Sequence, residues 1–173
     1  MRSLILGGAR SGKSALAERI ATESGREVVY IATAQGGDDE MRERIAHHRT
    51  QRPSHWRCVE EPVALAAALR DYADDGRCVL VDCLTLWLSN LLADPDAARF
   101  EHERIALLDV LPDLRGDIVL VSNEVGLGVV PMGALTRRFV DEAGRLHQAL
   151  ARRCDSVLFV AAGLPLALKG TYE

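Results

Sequence analysis

A segment of eight residues near the amino terminus combines glycines, a lysine and a serine in an order that binds nucleotide phosphates. Residues 7–14 are Gly-Gly-Ala-Arg-Ser-Gly-Lys-Ser, which fits the pattern G-x-x-x-x-G-K-[ST]. Glycines let the backbone turn so that successive N–H groups point at phosphate oxygens. Lys13 would contact the β- and γ-phosphates of a nucleoside triphosphate, and the Ser14 hydroxyl would bind Mg²⁺. The segment therefore predicts a phosphate-binding loop.

The segments on either side of this loop are the ones that such a loop needs. Residues 3–6 are a short apolar run that predicts a buried strand, and residues 14–21 have the apolar spacing of an amphipathic helix. That helix would direct its positive end at the bound phosphates. A glycine-rich turn without a ligand would not need Lys13 and Ser14 together, so the nucleotide site is the favoured interpretation.

Composition and charge argue against a membrane-spanning protein, a nucleic-acid-binding protein and a zinc protein. The chain has 173 residues, a net charge of −4 and four cysteines, none of them in a C-x-x-C pair. This length predicts a single domain over residues 1–173, and the charge gives no field that would attract nucleic acid. The apolar run after Met1 is too short for a signal peptide, and no apolar stretch reaches 18 residues. We therefore expect a cytoplasmic protein with no transmembrane segment and no zinc or thioredoxin-like chemistry.

Strand and helix signals alternate along the chain. Five strands are predicted, at residues 3–6, 27–33, 78–82, 117–122 and 156–161. Six helices are predicted, at residues 14–21, 38–48, 60–75, 84–92, 97–114 and 136–153. A last edge strand is predicted over 163–168. The alternation predicts an α/β fold with a mostly parallel sheet flanked by helices, of the P-loop NTPase-like (RecA-like) class, whose ligands bind where the strands end.

Polar residues follow three of these strands at the ligand-binding edge. Asp82 ends an apolar run as the acidic residue of a Walker B strand does, and it would hold Mg²⁺ directly or through water. Thr33 ends another strand and could contact the nucleotide, although a threonine that only caps the strand is the alternative. Asn123 and Glu124 could reach substrate or water ligands of the metal, or could simply cap a turn.

Residues 42–57 are basic in a chain that is acidic overall. They contain five arginines, three histidines and one acidic residue. A solvated basic face is the usual explanation of such a run, but its position after a phosphate loop favours an anion-binding patch. A neutral imidazole in this patch could attack phosphorus as a covalent nucleophile. Adjacent histidines on a helix point about 100° apart, so His47 and His48 could not serve one site equally.

Several further motifs accompany the phosphate loop. They are Tyr-Ile-Ala-Thr at 30–33, Asp-Asp-Glu-Met…Arg-Ile-x-His-His at 38–48, Arg-Pro-x-x-Trp at 52–56 and Asn-Glu-Val-Gly-x-Gly-x-Val-Pro at 123–131. Together they span nearly the whole chain and resemble the bifunctional adenosylcobinamide kinase/adenosylcobinamide-phosphate guanylyltransferase family of cobalamin biosynthesis. The histidine pair and the Arg-Pro-x-x-Trp motif are far more specific than the phosphate loop.

The resemblance implies two reactions and a set of residues. ATP or GTP phosphorylates the aminopropanol hydroxyl of adenosylcobinamide, and GTP then transfers GMP to that phosphate through a histidine, releasing pyrophosphate. The residue that matches this histidine is His47. The resemblance also implies a homotrimer. The matching nucleotide contacts are Gly7, Gly8, Ala9, Arg10, Ser11, Gly12, Lys13, Ser14, Ala32, Thr33, Ala34, Arg49, Thr50, Gln51, Arg52, Glu60 and Asp82.

These residues support one mechanistic hypothesis and leave two alternatives. In the hypothesis, Lys13 and Mg²⁺ stabilise charge on the triphosphate, His47 attacks its α-phosphorus, and Arg49 and Arg52 neutralise phosphate oxygens. One alternative is a P-loop kinase of another small-molecule alcohol, which needs no histidine nucleophile. The other is a GTP-binding switch, against which the lack of a guanine-reading N-K-x-D motif counts.

Overall fold

The computed structural model describes residues 1–35 and 53–171, and the strands in these ranges form one sheet. The strands are β1 (Arg2–Gly7), β2 (Glu27–Ala32), β3 (Arg57–Glu60), β4 (Arg77–Asp82), β5 (Asp117–Asn123), β6 (Ser156–Ala161) and β7 (Leu164–Lys169). The helices are α1 (Lys13–Glu23), α2 (Leu65–Tyr72), α3 (Leu84–Ala93), α4 (Ala97–Val110) and α5 (Ala134–Arg153), with a 3₁₀ turn at Leu111–Asp113.

The order of strands across the sheet is β3-β2-β4-β5-β1-β6-β7. All neighbouring strands pair in parallel except β7, which is antiparallel to β6 at the edge. The expected fold class, a mostly parallel sheet flanked by helices, is confirmed. Because the parallel strands share a direction, the carboxyl ends of β4, β5 and β1 lie side by side at the centre of one sheet edge.

Helices cover both faces of the central strands. Along β1, Leu4 and Leu6 belong to one hydrophobic cluster and Ile5 to another, because successive side chains of a strand point to opposite faces. Helices α2 to α5 pack on the face of Leu4 and Leu6, and α1 packs on the face of Ile5 through Leu16 and Ala17. Burial on both faces explains why β1, β4 and β5 are continuous apolar runs. None of the helices in the described ranges is long and apolar enough to cross a lipid bilayer.

One strand was not predicted, and the helix after it begins later than predicted. Residues 57–60 form β3, an edge strand paired with β2, where no strand was predicted. The helix predicted from residue 60 begins only at Leu65. The reason is Glu61, whose Oε1 accepts hydrogen bonds from the backbone N–H groups of Val63 and Ala64 at 2.9 and 2.7 Å and so stabilises a turn before the helix.

The helix predicted over 97–114 is also shorter than expected. It ends at Val110 and continues as a 3₁₀ turn, because Pro112 has no N–H group to extend the helix. The helix predicted over 38–48 lies outside the described residues.

Candidate active site

The segment between β1 and α1 folds as a tight loop at the carboxyl edge of the sheet. Arg10 and Gly12 have positive φ angles of 56° and 96°, which reverse the chain before the first turn of α1. The Gly163 N–H donates to the Ser11 carbonyl at 2.8 Å, so the turn between β6 and β7 fastens the loop. No side chain caps the amino terminus of α1, which leaves its first N–H groups available to an anion.

Two glycines of the loop are required by their surroundings. A Cβ atom at Gly7 would lie 2.5 Å from the Val160 carbonyl oxygen and 2.6 Å from Ser11 Oγ, so a side chain does not fit there. Gly12 combines its positive φ with a close approach to Gly163, whose Cα would lie 3.1 Å from a Cβ. The glycine pattern in the sequence therefore reflects the shape of the loop as well as phosphate binding.

Lys13 places a cation inside this loop. Only 8% of its surface is exposed, and its Nζ donates to the Gly8 carbonyl oxygen at 3.1 Å. The ammonium group is thus held against the start of the loop by the Gly8 carbonyl. Because Nζ is a point charge on a flexible stem, it can exchange the Gly8 carbonyl for a phosphate oxygen without backbone movement.

Ser14 and Asp82 are the residues that would hold Mg²⁺. Ser14 lies in the first turn of α1, and Asp82 ends β4; both are half-buried. A hydroxyl and a carboxylate are hard oxygen donors, which are the donors that Mg²⁺ prefers. In the described ranges no three His, Cys, Asp or Glu residues cluster around a metal position. A site with few protein ligands fits Mg²⁺, which keeps waters and substrate phosphates as its other ligands.

Thr33 joins two strands. The residue is fully buried, its Oγ1 donates to the Cys83 carbonyl at 2.6 Å, and the Cys83 N–H donates back to Oγ1 at 3.0 Å. Asn90 Nδ2 donates to the Thr33 carbonyl at 2.8 Å. These bonds hold the end of β2 against the end of β4, which is the strand-capping alternative considered above. A contact between Thr33 and a nucleotide stays a prediction.

The other predicted contacts on this side follow the strand register. Ala32 pairs with Asp82 on β4 and with Glu60 on β3, so these three residues form a row at the carboxyl edge. Ala32 and Ala34 are half-buried, and Glu60 is exposed at the end of β3. The structure thus brings the predicted residues of the phosphate loop, Ala32 to Ala34, Glu60 and Asp82 to one edge. The predicted residues His47, Arg49, Thr50, Gln51 and Arg52 lie outside the described residues.

A polar network next to the loop was only partly anticipated. Glu124 was a candidate, but its neighbour His147 on α5 was missed. His147 Nδ1 lies 3.6 Å from Glu124 Oε2, and His147 Nε2 lies 2.8 Å from Ser122 Oγ. Burial lowers the pKa of His147 and the Glu124 carboxylate opposes this shift, so the neutral imidazole is favoured. The sequence signal for the burial of His147 is its spacing from Ala143 and Leu150, which lie four residues before and three residues after it on the same helix face.

Comparison with known proteins decides the family. The family described as "Cobinamide kinase / cobinamide phosphate guanyltransferase" matches residues 3–168. The chain belongs to this family. The "Bifunctional adenosylcobalamin biosynthesis protein CobP" of Pseudomonas aeruginosa is 67% identical over 170 residues, which cover 98% of each chain. The corresponding CobU proteins of Escherichia coli and Salmonella typhimurium are 38% and 39% identical, and the matches cover 98% of this chain and 100% of theirs.

Solved structures of other proteins share the fold of this chain. The RadB recombinase superposes with a TM-score of 0.51 at 18% identity, over 91% of this chain and 73% of that one. The flagellar accessory protein FlaH from Methanocaldococcus jannaschii gives a TM-score of 0.53 at 12% identity, over 99% of this chain and 81% of that one. These likenesses support the P-loop NTPase-like fold class and, at such identities, the fold alone.

Proposed function

We propose that this chain catalyses both reactions of its family: phosphorylation of adenosylcobinamide with ATP or GTP, and transfer of GMP from GTP to the product. The observation that carries the proposal is the family match over residues 3–168, supported by a 7–14 segment that has the phosphate-loop sequence and folds as a tight loop between β1 and α1. The 67% identity to a bifunctional relative over nearly the full length of both chains supports retention of both activities.

In the kinase step, the loop binds the triphosphate and orients its γ-phosphorus. The N–H groups at the start of α1 face the phosphate oxygens, and Lys13 Nζ exchanges the Gly8 carbonyl for an oxygen of the β- or γ-phosphate. Ser14 and Asp82 would hold Mg²⁺, which supplies positive charge at the phosphates when bound. The aminopropanol oxygen forms a bond to the γ-phosphorus, and the nucleoside diphosphate leaves.

In the guanylyl step, GTP is bound on the same loop, residues 7–14, and His47 acts on its α-phosphorus. Its neutral imidazole forms a P–N bond while the bond to the α,β-bridging oxygen breaks and pyrophosphate leaves. Arg49 and Arg52 neutralise phosphate oxygens, which a planar guanidinium can bind with two hydrogen bonds. A phosphate oxygen of adenosylcobinamide phosphate then attacks the same phosphorus, releases His47 and gives adenosylcobinamide-GDP. These three assignments rest on the family resemblance of residues 38–56.

We extend the proposal to a homotrimer in the cytoplasm. An exposed apolar segment after β5 supports an oligomer, because monomeric proteins rarely expose so many large apolar side chains in one place. Between 66% and 96% of the surface is exposed at Leu127, Val129, Val130, Met132 and Leu135. The number of three subunits comes from the family resemblance.

Product analysis tests the function and separates it from its alternatives. With ATP as sole nucleotide, we expect adenosylcobinamide to gain one phosphoryl group and to react no further. With GTP as sole nucleotide, we expect adenosylcobinamide-GDP and pyrophosphate, measured by mass spectrometry and a pyrophosphate assay. Phosphorylation without GMP transfer would indicate that the chain has the kinase activity but not the guanylyltransferase activity. The absence of both products in the presence of bound GTP would favour a nucleotide-binding switch and contradict the proposal.

A further inference from the structure

The carboxylate of Glu124 lies beside the phosphate loop and has no part in the steps above. Glu124 directly follows β5, and Asn123 at the end of β5 pairs with Gly7 at the end of β1. The Glu124 N–H donates to the Gly7 carbonyl at 3.0 Å, which fixes its backbone at the start of the loop. Its side chain is 22% exposed, so the carboxylate is partly accessible to solvent.

The carboxylate accepts one hydrogen bond and lies close to a second group. Oε1 accepts a hydrogen bond from the Gly126 N–H at 2.6 Å. Oε2 lies 3.6 Å from His147 Nδ1, too far for a hydrogen bond but close enough to form one after a small movement. The carboxylate is therefore oriented by the protein, with Oε2 as the oxygen still able to change its partner.

His147 completes a chain of polar groups that leads back into the core. Its side chain is only 7% exposed, and Nδ1 is buried without a hydrogen-bond partner. Nε2 contacts Ser122 Oγ at 2.8 Å, which in turn lies 3.2 Å from Thr85 Oγ1. Leaving a buried nitrogen unpaired costs free energy, and such groups are rare unless a function uses them. The free side of this imidazole faces the carboxylate next to the loop.

Position in the sheet separates Glu124 from the other carboxylates at this edge. Neighbouring strands lie about 4.8 Å apart, so Glu60 on β3 is roughly 19 Å from β1, whereas β5 is the direct neighbour of β1. Glu61 already accepts two backbone hydrogen bonds. Asp82 is the residue assigned to Mg²⁺. Glu124 is thus the carboxylate in the described ranges best placed to meet a group that attacks the γ-phosphorus.

We propose that Glu124 accepts the proton of the substrate hydroxyl in the kinase step and that His147 positions its carboxylate. The inference rests on the proposed function. The proton moves from the aminopropanol oxygen to Glu124 Oε2, and the electron pair of the O–H bond becomes available to form the O–P bond. The bond from the γ-phosphorus to the β,γ-bridging oxygen breaks, and its electrons leave with the nucleoside diphosphate. The carboxylic acid then passes the proton to water, which restores the carboxylate.

Replacing Glu124 with glutamine tests the proposal, because the amide keeps the shape and loses the base. We expect kcat of the kinase step to fall about 10²- to 10³-fold, with little change in the KM for adenosylcobinamide. GMP transfer to adenosylcobinamide phosphate prepared beforehand should keep its wild-type rate, which also reports that E124Q is folded. Glu101→Gln on α4, a surface carboxylate paired with Arg104, is the matched control and should leave both steps unchanged.

His147 variants test the positioning role. His147→Ala should lower kinase kcat on the order of 10-fold, and His147→Asn, which keeps a nitrogen near the position of Nδ1, should recover part of the loss. A wild-type kinase kcat in E124Q would overturn the role of Glu124 and leave the proposed function intact. An equal loss of both steps in a folded E124Q protein would have the same meaning. Absence of kinase activity in the wild-type chain would overturn the proposed function itself.

Discussion

His47→Ala is expected to abolish the covalent GMP adduct and, with it, the formation of adenosylcobinamide-GDP. Removing a covalent nucleophile costs on the order of 10⁶ in kcat for enzymes that depend on one, so GMP transfer should fall below detection. Kinase activity should persist, because γ-phosphoryl transfer does not use the imidazole. The measurement is incubation with α-labelled GTP, followed by a test for protein-bound label that acid removes and base does not, as expected of a phosphoramidate.

His48→Ala is the matched control, because it removes the adjacent imidazole, and on the helix that the sequence predicts for residues 38–48 the two side chains would point about 100° apart. It should retain the label and the transfer. Protein-bound label that survives His47→Ala would contradict the assignment of the nucleophile. Label lost in both variants would show that the pair acts together, which also contradicts a role for His47 alone.

Lys13→Ala is expected to lower kcat of both steps by about 10³-fold, the loss typical of removing one preorganised group that stabilises transition-state charge. The physical reason is the position of Nζ, which is held against the start of the phosphate loop and binds only the Gly8 carbonyl among its described neighbours. The fold should tolerate the change, because the Gly8 carbonyl still accepts from the Ser11 N–H at 3.3 Å. Initial rates of kinase and of GMP transfer, measured on one preparation, check the prediction.

The other lysine of the chain provides the control for this variant. Lys169 donates to the carbonyl oxygens of Ala151 and Cys154 at the end of β7 that is remote from the phosphate loop. Lys169→Ala should leave both rates close to wild type. A Lys13→Ala protein with intact kinase turnover would contradict the role of the loop in that step, and one that lost only the kinase would indicate a second nucleotide site.

The phosphate loop could be predicted from sequence because its determinants are local. Close approaches and a positive φ require glycine at Gly7 and Gly12, and the proposed phosphate contact accounts for Lys13 and Ser14. The central strands could be predicted because burial on both faces makes them continuous apolar runs. In contrast, β3 is a four-residue edge strand with exposed residues, so its sequence carries no such signal.

Groups that meet only through the tertiary fold could not be predicted. The Thr33 hydroxyl binds Cys83, and this depends on β2 pairing with β4 across 50 residues of chain. His147 meets Glu124 because α5 crosses the end of β5, a contact between residues 23 positions apart. Local spacing indicated that His147 lies on a buried helix face, but not which group it would contact.

The central claim is that one triphosphate site, on residues 7–14, serves both transfers, and competition tests it most directly. An ATP analogue that cannot be cleaved between its β- and γ-phosphates is titrated against kinase activity and against the first turnover of His47 guanylylation from α-labelled GTP. The account predicts that the analogue inhibits both with the same inhibition constant. Guanylylation at its full rate, at an analogue concentration that saturates inhibition of the kinase, would contradict it.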